Sequence, residues 1–399
     1  MFNHFIFSVA LAIASGNYLY AQSSWRAEVL PVELTVGYAV LAIDLHGDGR
    51  KDIAITDSKR YLWLENPTWK LHVIHNTPDA PNDNVCFAPH DVDGDGKVDF
   101  AIGHDWQPGN SNSGGKIGWL KSPEDPRQPW TYFPIAEEPT THRMRWIDWD
   151  HDGQLDLVVA PLKGRDSQPP GFDQTNIRLL MFSPSRNDFA KPWPMRVIDE
   201  SLTVTHNLEV VDMNDDGKSE LLTASFEGVT HLQPSGTQTQ RVRLGAGHEG
   251  TAPAMGASEI RLGTLRLKRR YLATIEPWHG NQVVVYTEPQ ASSDPLWSRH
   301  VLDEQLKWGH AVACVNLDDD EDQELIIGVR DDLETAHRCG VRIYDPQDAE
   351  KGTWSRMVLQ PGQVAVEDLT VADFDGDGDQ DIVAVGRATR NAVIYWNEN

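Results

Sequence analysis

An acidic nine-residue loop recurs along this chain of 399 residues, and its spacing limits the possible folds more than any other feature. Copies begin at Asp44, Asp91, Asp148, Asp212, Asn316 and Asp373, and the clearest read DVDGDGKVD (91–99) and DFDGDGDQD (373–381). Successive starts lie 47, 57, 64, 104 and 57 residues apart. The 104-residue step equals two ordinary steps, so a seventh unit without the loop is expected near residues 245–301. Repeats of this size signal a solenoid or a propeller, because one unit cannot bury its apolar face alone.

Every unit has the same order of short β-branched runs bounded by Gly, Pro, Asn and Asp, the strand signature. An apolar strand enters the loop, as in VLAIDLHGDG (40–49), and a second leaves it, as in DIAIT (52–56) or DIVAV (381–385). A third ends in a turn, as in YLWLENP (61–67). A fourth opens with Trp69, Trp130, Trp193, Trp297 or Trp354, with Val or Pro four residues on. The loopless unit supplies EIRLGTL (259–265), YLATIE (271–276), VVVYTEP (283–289) and WSRHVL (297–302), with RLKRR (266–270) in place of acid. The last unit stops after its third strand, and WRAEVL (25–30) near the start has the Trp-to-Val spacing of the missing fourth. One fourth strand, near 239–244, lacks Trp. The expected fold is therefore all-β, a seven-bladed β-propeller of four-stranded blades, the last blade closed by the N-terminal strand. Closure removes both sheet edges.

The spacing Asp-x-Asp-x-Asp-Gly-x-x-Asp converges hard oxygen ligands on one point, which suits Ca²⁺ or Mg²⁺. It is not an EF-hand, since position 12 is Ile102 in the second unit and Ala384 in the seventh, and the flanks are strands. The loops resemble the FG-GAP/VCBS repeats of calcium-binding propellers. Three copies keep four carboxylates: Asp91, Asp93, Asp95 and Asp99; Asp148, Asp150, Asp152 and Asp156; Asp373, Asp375, Asp377 and Asp381. The fourth unit has Asp212, Asn214, Asp216 and Glu220, and the sixth has Asn316, Asp318, Asp320 and Glu324. The first has His46 at its third position, a poor calcium ligand. Their expected role is structural.

The net charge of −25 opposes phosphate-backbone binding, so no nucleic-acid partner is expected. Residues 1–21 read as a signal peptide, with an apolar run at 5–14 and a cut after Ala21, leaving 22–399 as the propeller. The run is too short for a comfortable membrane span. A periplasmic or secreted location without a membrane partner is expected. Cys86 and Cys314 lie in apolar strand patterns and read as buried thiols. His72, His75 and His300 fall on fourth strands and read as surface. A homodimer stays open.

Six residues before each loop, at the start of each first strand, stand Tyr38, Val85, His142, His206, His310 and Glu367. The loopless unit has Ser258 or Glu259 there. Packing inside an apolar barrel does not ask for three His and a Glu. The second strands end at the same rim, just before Asp57, His104, Asp105, Lys163, Glu227, Glu276, His279, Arg330 and Arg387. One end of the channel thus gathers titratable groups, and the other carries the acidic loops. His142, His206 and His310 are candidate ligands for Zn²⁺ with a position left open.

The rim motifs THRMRWIDWD (141–150), THNLEVVD (205–212), IEPWHGNQVVVY (275–286), WGHAVACVNLD (308–318) and the segment 366–397 resemble the propeller domain of aldos-2-ulose dehydratases. That resemblance implies a zinc site that dehydrates 2-keto sugars such as 1,5-anhydrofructose. In that family cupin domains further along carry the later isomerisation. This chain ends at the propeller, so the two-step activity is not expected of it.

Removing water β to a ketone needs a Lewis acid on the carbonyl oxygen, a base for the α-proton and an acid for the departing hydroxyl. Glu367 is expected as a fourth ligand or the base, and Tyr38, His279 and Lys163 as the other acid–base candidates. Arg330 and Arg387 would orient sugar hydroxyls or a carboxylate. Trp106, Trp278 and Trp308 are candidates to stack on a sugar or oligosaccharide. The expected function is a metal-dependent carbohydrate lyase of the hydro-lyase type. The competing expectations are a non-catalytic carbohydrate-binding or scaffold propeller and a polysaccharide lyase.

Overall fold

The computed structural model describes residues 24–77, 82–185, 189, 191–289, 296–318, 320–330 and 339–398. The signal-peptide reading of residues 1–21 lies outside them. Seven four-stranded antiparallel sheets form the blades of a β-propeller. The innermost strands of blades 1 to 7 are Gly37–Ile43, Cys86–His90, Thr141–Ile147, Thr205–Val211, Arg261–Leu265, Gly309–Val315 and Val366–Ala372.

Blade stacking explains the sequence pattern strand by strand. Second strands such as Asp52–Asp57 and Glu220–Ser225 are buried along their whole length, because a neighbouring blade covers each face. They therefore read as continuous apolar runs, as strands covered on both sides do. Outer strands such as Thr353–Leu359 are mostly exposed and carry polar residues. The tryptophans at the start of these outer strands are core residues: Trp25, Trp69, Trp130, Trp193 and Trp297 are buried, and Trp354 packs half-buried against the apolar cluster between blades 5 and 6. His72 departs from its expected surface position. It is buried and stacks on Trp63 with ring centroids 4.7 Å apart. Cys86 is buried, as expected, and Cys314 is half-buried.

The loopless unit is blade 5, with strands Arg261–Leu265, Arg269–Glu276, Gln282–Thr287 and Ser298–Asp303. Its first hairpin is a short 3₁₀ turn at Arg266–Lys268. One element was not expected, a two-stranded hairpin of His248–Thr251 and Ala254–Gly256 between blades 4 and 5. No helix among the described residues is long and apolar enough to cross a membrane.

Closure follows the expected plan. Trp25–Val29 pairs antiparallel with Ala392–Asn397, from Trp25 opposite Asn397 to Val29 opposite Val393. At the inner wall, the Val40 amide donates to Asp368 Oδ2 at 3.0 Å and ties blade 1 to blade 7.

The inner strands of five blades open with a one-residue bulge. Register skips between Gly37 and Ala39, Thr141 and Arg143, Thr205 and Asn207, Gly309 and Ala311, and Val366 and Asp368. The unpaired residues are Tyr38, His142, His206, His310 and Glu367. A bulge re-aims a side chain that regular pleating would send elsewhere.

If the N-terminal strand closes the ring as described, Trp25→Ala should cost about 3–5 kcal/mol, the usual loss for a buried large aromatic. Denaturant unfolding measures this. A loss under about 1 kcal/mol would mean that closure does not depend on this strand's packing.

Candidate active site

The bulged histidines are pinned by one repeated bond. His142 Nδ1–H donates to the His206 carbonyl at 3.0 Å, and His310 Nδ1–H to the Glu367 carbonyl at 2.5 Å. His206 Nδ1–H lies between the Ser258 carbonyl at 3.0 Å and Glu259 Oε1 at 2.8 Å. Each carbonyl belongs to the ring-position residue of the following blade, so Ser258 holds that position in blade 5. With Nδ1 as donor, the neutral ring keeps its lone pair on Nε2. A carboxylate or carbonyl behind Nδ1 is the usual support of a metal-bound imidazole.

His279 reaches the same point from a turn. It follows the second strand of blade 5 and sits at φ 50, in the left-handed region. Gly280 makes that turn possible, since a Cβ there would stand 2.3 Å from the Pro277 carbonyl oxygen. Trp278 stacks on His279 at 4.3 Å with the rings 6° from parallel. His279 Nε2 lies 2.6 Å from His206 Nε2. Ligand nitrogens of His206, His279 and His310 all fall within 4.8 Å of one another.

At this distance either His279 Nε2–H donates to the His206 Nε2 lone pair or a cation joins the two lone pairs. Protonation is disfavoured: burial first, then neighbouring imidazoles and the Arg143 and Arg330 cations, hold His279 and His310 well below the usual value. Burial, then Arg143 and His206, does the same for His142. His206 is lowered too, by burial against the opposing pull of Glu259. Buried, neutral, pre-oriented imidazoles are the donor set that Zn²⁺ takes. The residues present therefore fit such an ion.

The trio that meets differs by one member from that expected. His142 stacks beside His206 with centroids 4.6 Å apart, and its Nε2 faces Arg143 Nη1 at 3.5 Å. Glu367 is held by Arg330 at 3.3 Å and Arg387 at 3.0 Å, and its Oε1 lies 3.8 Å from His310 Nε2. Tyr38 donates to Asp83 Oδ2 at 2.8 Å, and burial raises its pKa far above the usual phenol value. Arg387 lies 5.3 Å over the Tyr38 ring. Lys163 lies 3.5 Å over the Phe172 ring and bonds the Pro108 carbonyl; burial lowers its pKa to about 8. Of the three tryptophans, Trp106 packs against His142 and Trp278 against His279, whereas Trp308 is 44% exposed with Arg330 over its ring.

Other rim residues form structural pairs: Asp57 with Arg60, Glu227 with Thr203, and Glu276 with Arg299. Sequence reasoning gave no role to Asp83 and Arg143. Arg143 directly follows the ring position, and strict alternation would have turned it off the axis.

At the opposite rim the first loop carboxylate organises each turn. Asp91 accepts from the amides of Gly94 at 2.8 Å and Gly96 at 2.9 Å, and Asp373 from those of Gly376 at 2.6 Å and Gly378 at 3.1 Å. Asp148 and Asp212 accept from Gly153 and Gly217 in the same way. The ninth-position acid is buried and stitches the loop to its blade. Asp99 takes the Val92 and Ser122 amides, and Asp381 the Phe374 and Asn397 amides. Oxygen donors converge at Asp91, Asp93 and Asp99; at Asp148, Asp150 and Asp152; and at Asp318, Glu324 and Asp345. Asp44, His46 and Asp48 converge likewise. Protein cations already reach two loops: Lys121 contacts Asp93 and Asp95, and Arg266 of the loopless hairpin contacts Asp320 and Asp322.

Fold and site together define a seven-bladed β-propeller with a buried imidazole cluster on its axis. Residues 114–289 match the family described as aldos-2-ulose dehydratase, beta-propeller domain. The chain is 25% identical over 372 residues to the aldos-2-ulose dehydratase of Phanerodontia chrysosporium, an alignment covering 86% of this chain. The chain spans only 39% of that relative's length. The chain thus resembles the propeller domain of aldos-2-ulose dehydratase. Among solved structures it is similar in fold to BBS1N in complex with ARL6DN, with TM-score 0.55, 15% identity and coverage of 94% of this chain and 97% of that one. A chain of the mitotic checkpoint complex matches with TM-score 0.56, 9% identity and coverage of 99% and 98%.

The buried loop acids give a pH prediction. Burial, then neighbouring carboxylates, lifts Asp99 to about 7 from 3.8 and Asp381 to about 6, against the pull of their amide partners. Acids raised in the folded state bind more protons there than in the unfolded chain, so stability falls as pH rises through that window. Chelated protein should therefore melt several degrees higher at pH 5 than at pH 7.5. Added calcium should abolish the difference. Melting scans that show no calcium effect at pH 7.5 would contradict cation binding in these loops.

Proposed function

We propose that this protein is a metal-dependent carbohydrate hydro-lyase, acting on a keto sugar by β-elimination of water. The observation that carries the reading is the convergence of ligand nitrogens of His206, His279 and His310, with the Nδ1 atoms of His206 and His310 committed to backbone. Similarity to a carbohydrate dehydratase supports the reaction class. A zinc ion held by these three would supply a Lewis acid for the sugar's carbonyl oxygen.

The remaining groups divide the other tasks. Glu367 anchors Arg330 and Arg387, which would orient sugar hydroxyls. Glu367 and His142 are the candidate acceptors for the α-proton, the His142 ring being kept neutral by burial and Arg143 with its lone pair on Nε2. Tyr38, held protonated by burial, would serve as the acid toward the leaving hydroxyl once its O–H leaves Asp83. Lys163 remains an alternative acid near neutral pH. Trp308 offers the exposed face for the sugar. The acidic loops are read as structural Ca²⁺ or Mg²⁺ sites, and export rests on residues 1–21 alone.

Two measurements test this. Metal analysis of untagged protein should find about one zinc per chain, lost in His206→Ala, His279→Ala and His310→Ala. Calcium alone would favour a scaffold instead. Zinc-loaded protein should convert 1,5-anhydrofructose to an enone seen by ultraviolet absorbance, and no enone would reject that substrate. Glu259→Gln should weaken zinc binding by roughly 10–100-fold while leaving the fold intact, as second-contact carboxylates behind ligand histidines do. Unchanged affinity would remove Glu259 from the support.

A further inference from the structure

Beneath the imidazole cluster the channel is not filled. A cavity of about 710 Å³ lies between the inner strands. On blades 3 and 5 its wall carries three guanidiniums, Arg143, Arg145 and Arg261, whereas blades 1, 2 and 6 present the small residues Ala39, Ala88 and Ala313. Arg143 and Arg145 stand two apart on one strand, so both face the axis.

The three arginines share one posture. Each Nη1 donates to the carbonyl of the preceding residue: Arg143 to His142 at 3.3 Å, Arg145 to Met144 at 2.8 Å and Arg261 to Ile260 at 2.7 Å. A guanidinium has five N–H donors. Beyond those bonds, Arg145 reaches Asn207 Oδ1 at 3.3 Å, and Arg143 only the His142 ring. Among the described residues no carboxylate forms an ion pair with any of the three. Glu209 and Asp368 share the wall but are turned to backbone, accepting from the Leu262 amide at 2.8 Å and the Val40 amide at 3.0 Å. Arg143 is buried, at 8% exposure. Burial, then repulsion from Arg261 and Arg143, lowers Arg145 to about 10 against the pull of Asp368 and Glu209.

One buried and two half-buried cations with unused donors around an open volume favour an anion among them. Guanidiniums match tetrahedral and planar oxyanions by paired N–H···O bonds. We propose that this channel binds one small oxyanion of sulfate or phosphate size, with Arg143, Arg145 and Arg261 as its donors. The proposal is independent of the dehydratase reading, since Arg145 and Arg261 lie outside the imidazole cluster.

Calorimetric titration of the intact protein with sulfate should show saturable binding at one site per chain. Arg145→Met and Arg261→Met should each weaken it by about 10-fold or more, as loss of a charge-assisted pair does. Selenate soaked into wild-type crystals should give an anomalous peak among the three guanidiniums, which decides the matter if a variant does not fold. Displacement of sulfate by glucuronate would assign the donors to a sugar carboxylate, and no displacement to a free ion. No saturable heat in the wild type, equal affinity in both folded variants, or selenate density only elsewhere would overturn the proposal.

Discussion

The site depends on the hydrogen bond from a ring-position Nδ1–H to the carbonyl of the next blade. It fixes tautomer and ring direction together, and it works only because the inner strand bulges at that residue. In a regular strand the residues after Thr141 would alternate between faces. The bulge lets His142 and Arg143 both contact the axial site. It also makes each blade's site geometry conditional on its neighbour, so closure of the ring and construction of the site are one problem. Asp368, which joins blades 7 and 1, lies one residue beyond Glu367 for the same reason.

Three neutral imidazoles converge on one point, and only His206 and His310 among them bond the backbone of a neighbouring blade. Apolar residues at the same positions would bury without the desolvation cost of ring nitrogens. The seven stacked blades supply a core large enough to carry that cost. Titratable groups collected at one end of a repeat scaffold are the mark of a site grafted on it. The acidic loops differ in kind. Their first carboxylate holds the turn's own amides, and their ninth holds the blade, so even without a cation they act on structure.

Much of this was legible because repeats expose position. Counting back from the acidic loop found Tyr38, His142, His206, His310 and Glu367, and the gap in the repeat gave the blade number. The Trp-to-Val spacing found the closing strand at Trp25. His279 was seen as a rim residue but not as a partner of His206, because it reaches the axis from a turn unique to blade 5. Arg143 was missed because a bulge breaks the period of two on which strand reading relies. The choice between Ser258 and Glu259 needed the carbonyl bond from His206 to resolve it. The division of labour it revealed, Ser258 at the ring position and Glu259 behind His206, has no signature in spacing.

The most direct test of the central claim is anomalous diffraction at the zinc edge from crystals of the untagged protein. One peak is expected on the propeller axis, with a ring nitrogen of His206, His279 and His310 each at about 2.0–2.1 Å. A featureless axis at full zinc exposure, with Nδ1 of His206 and His310 still bonded to the neighbouring blades, would contradict it.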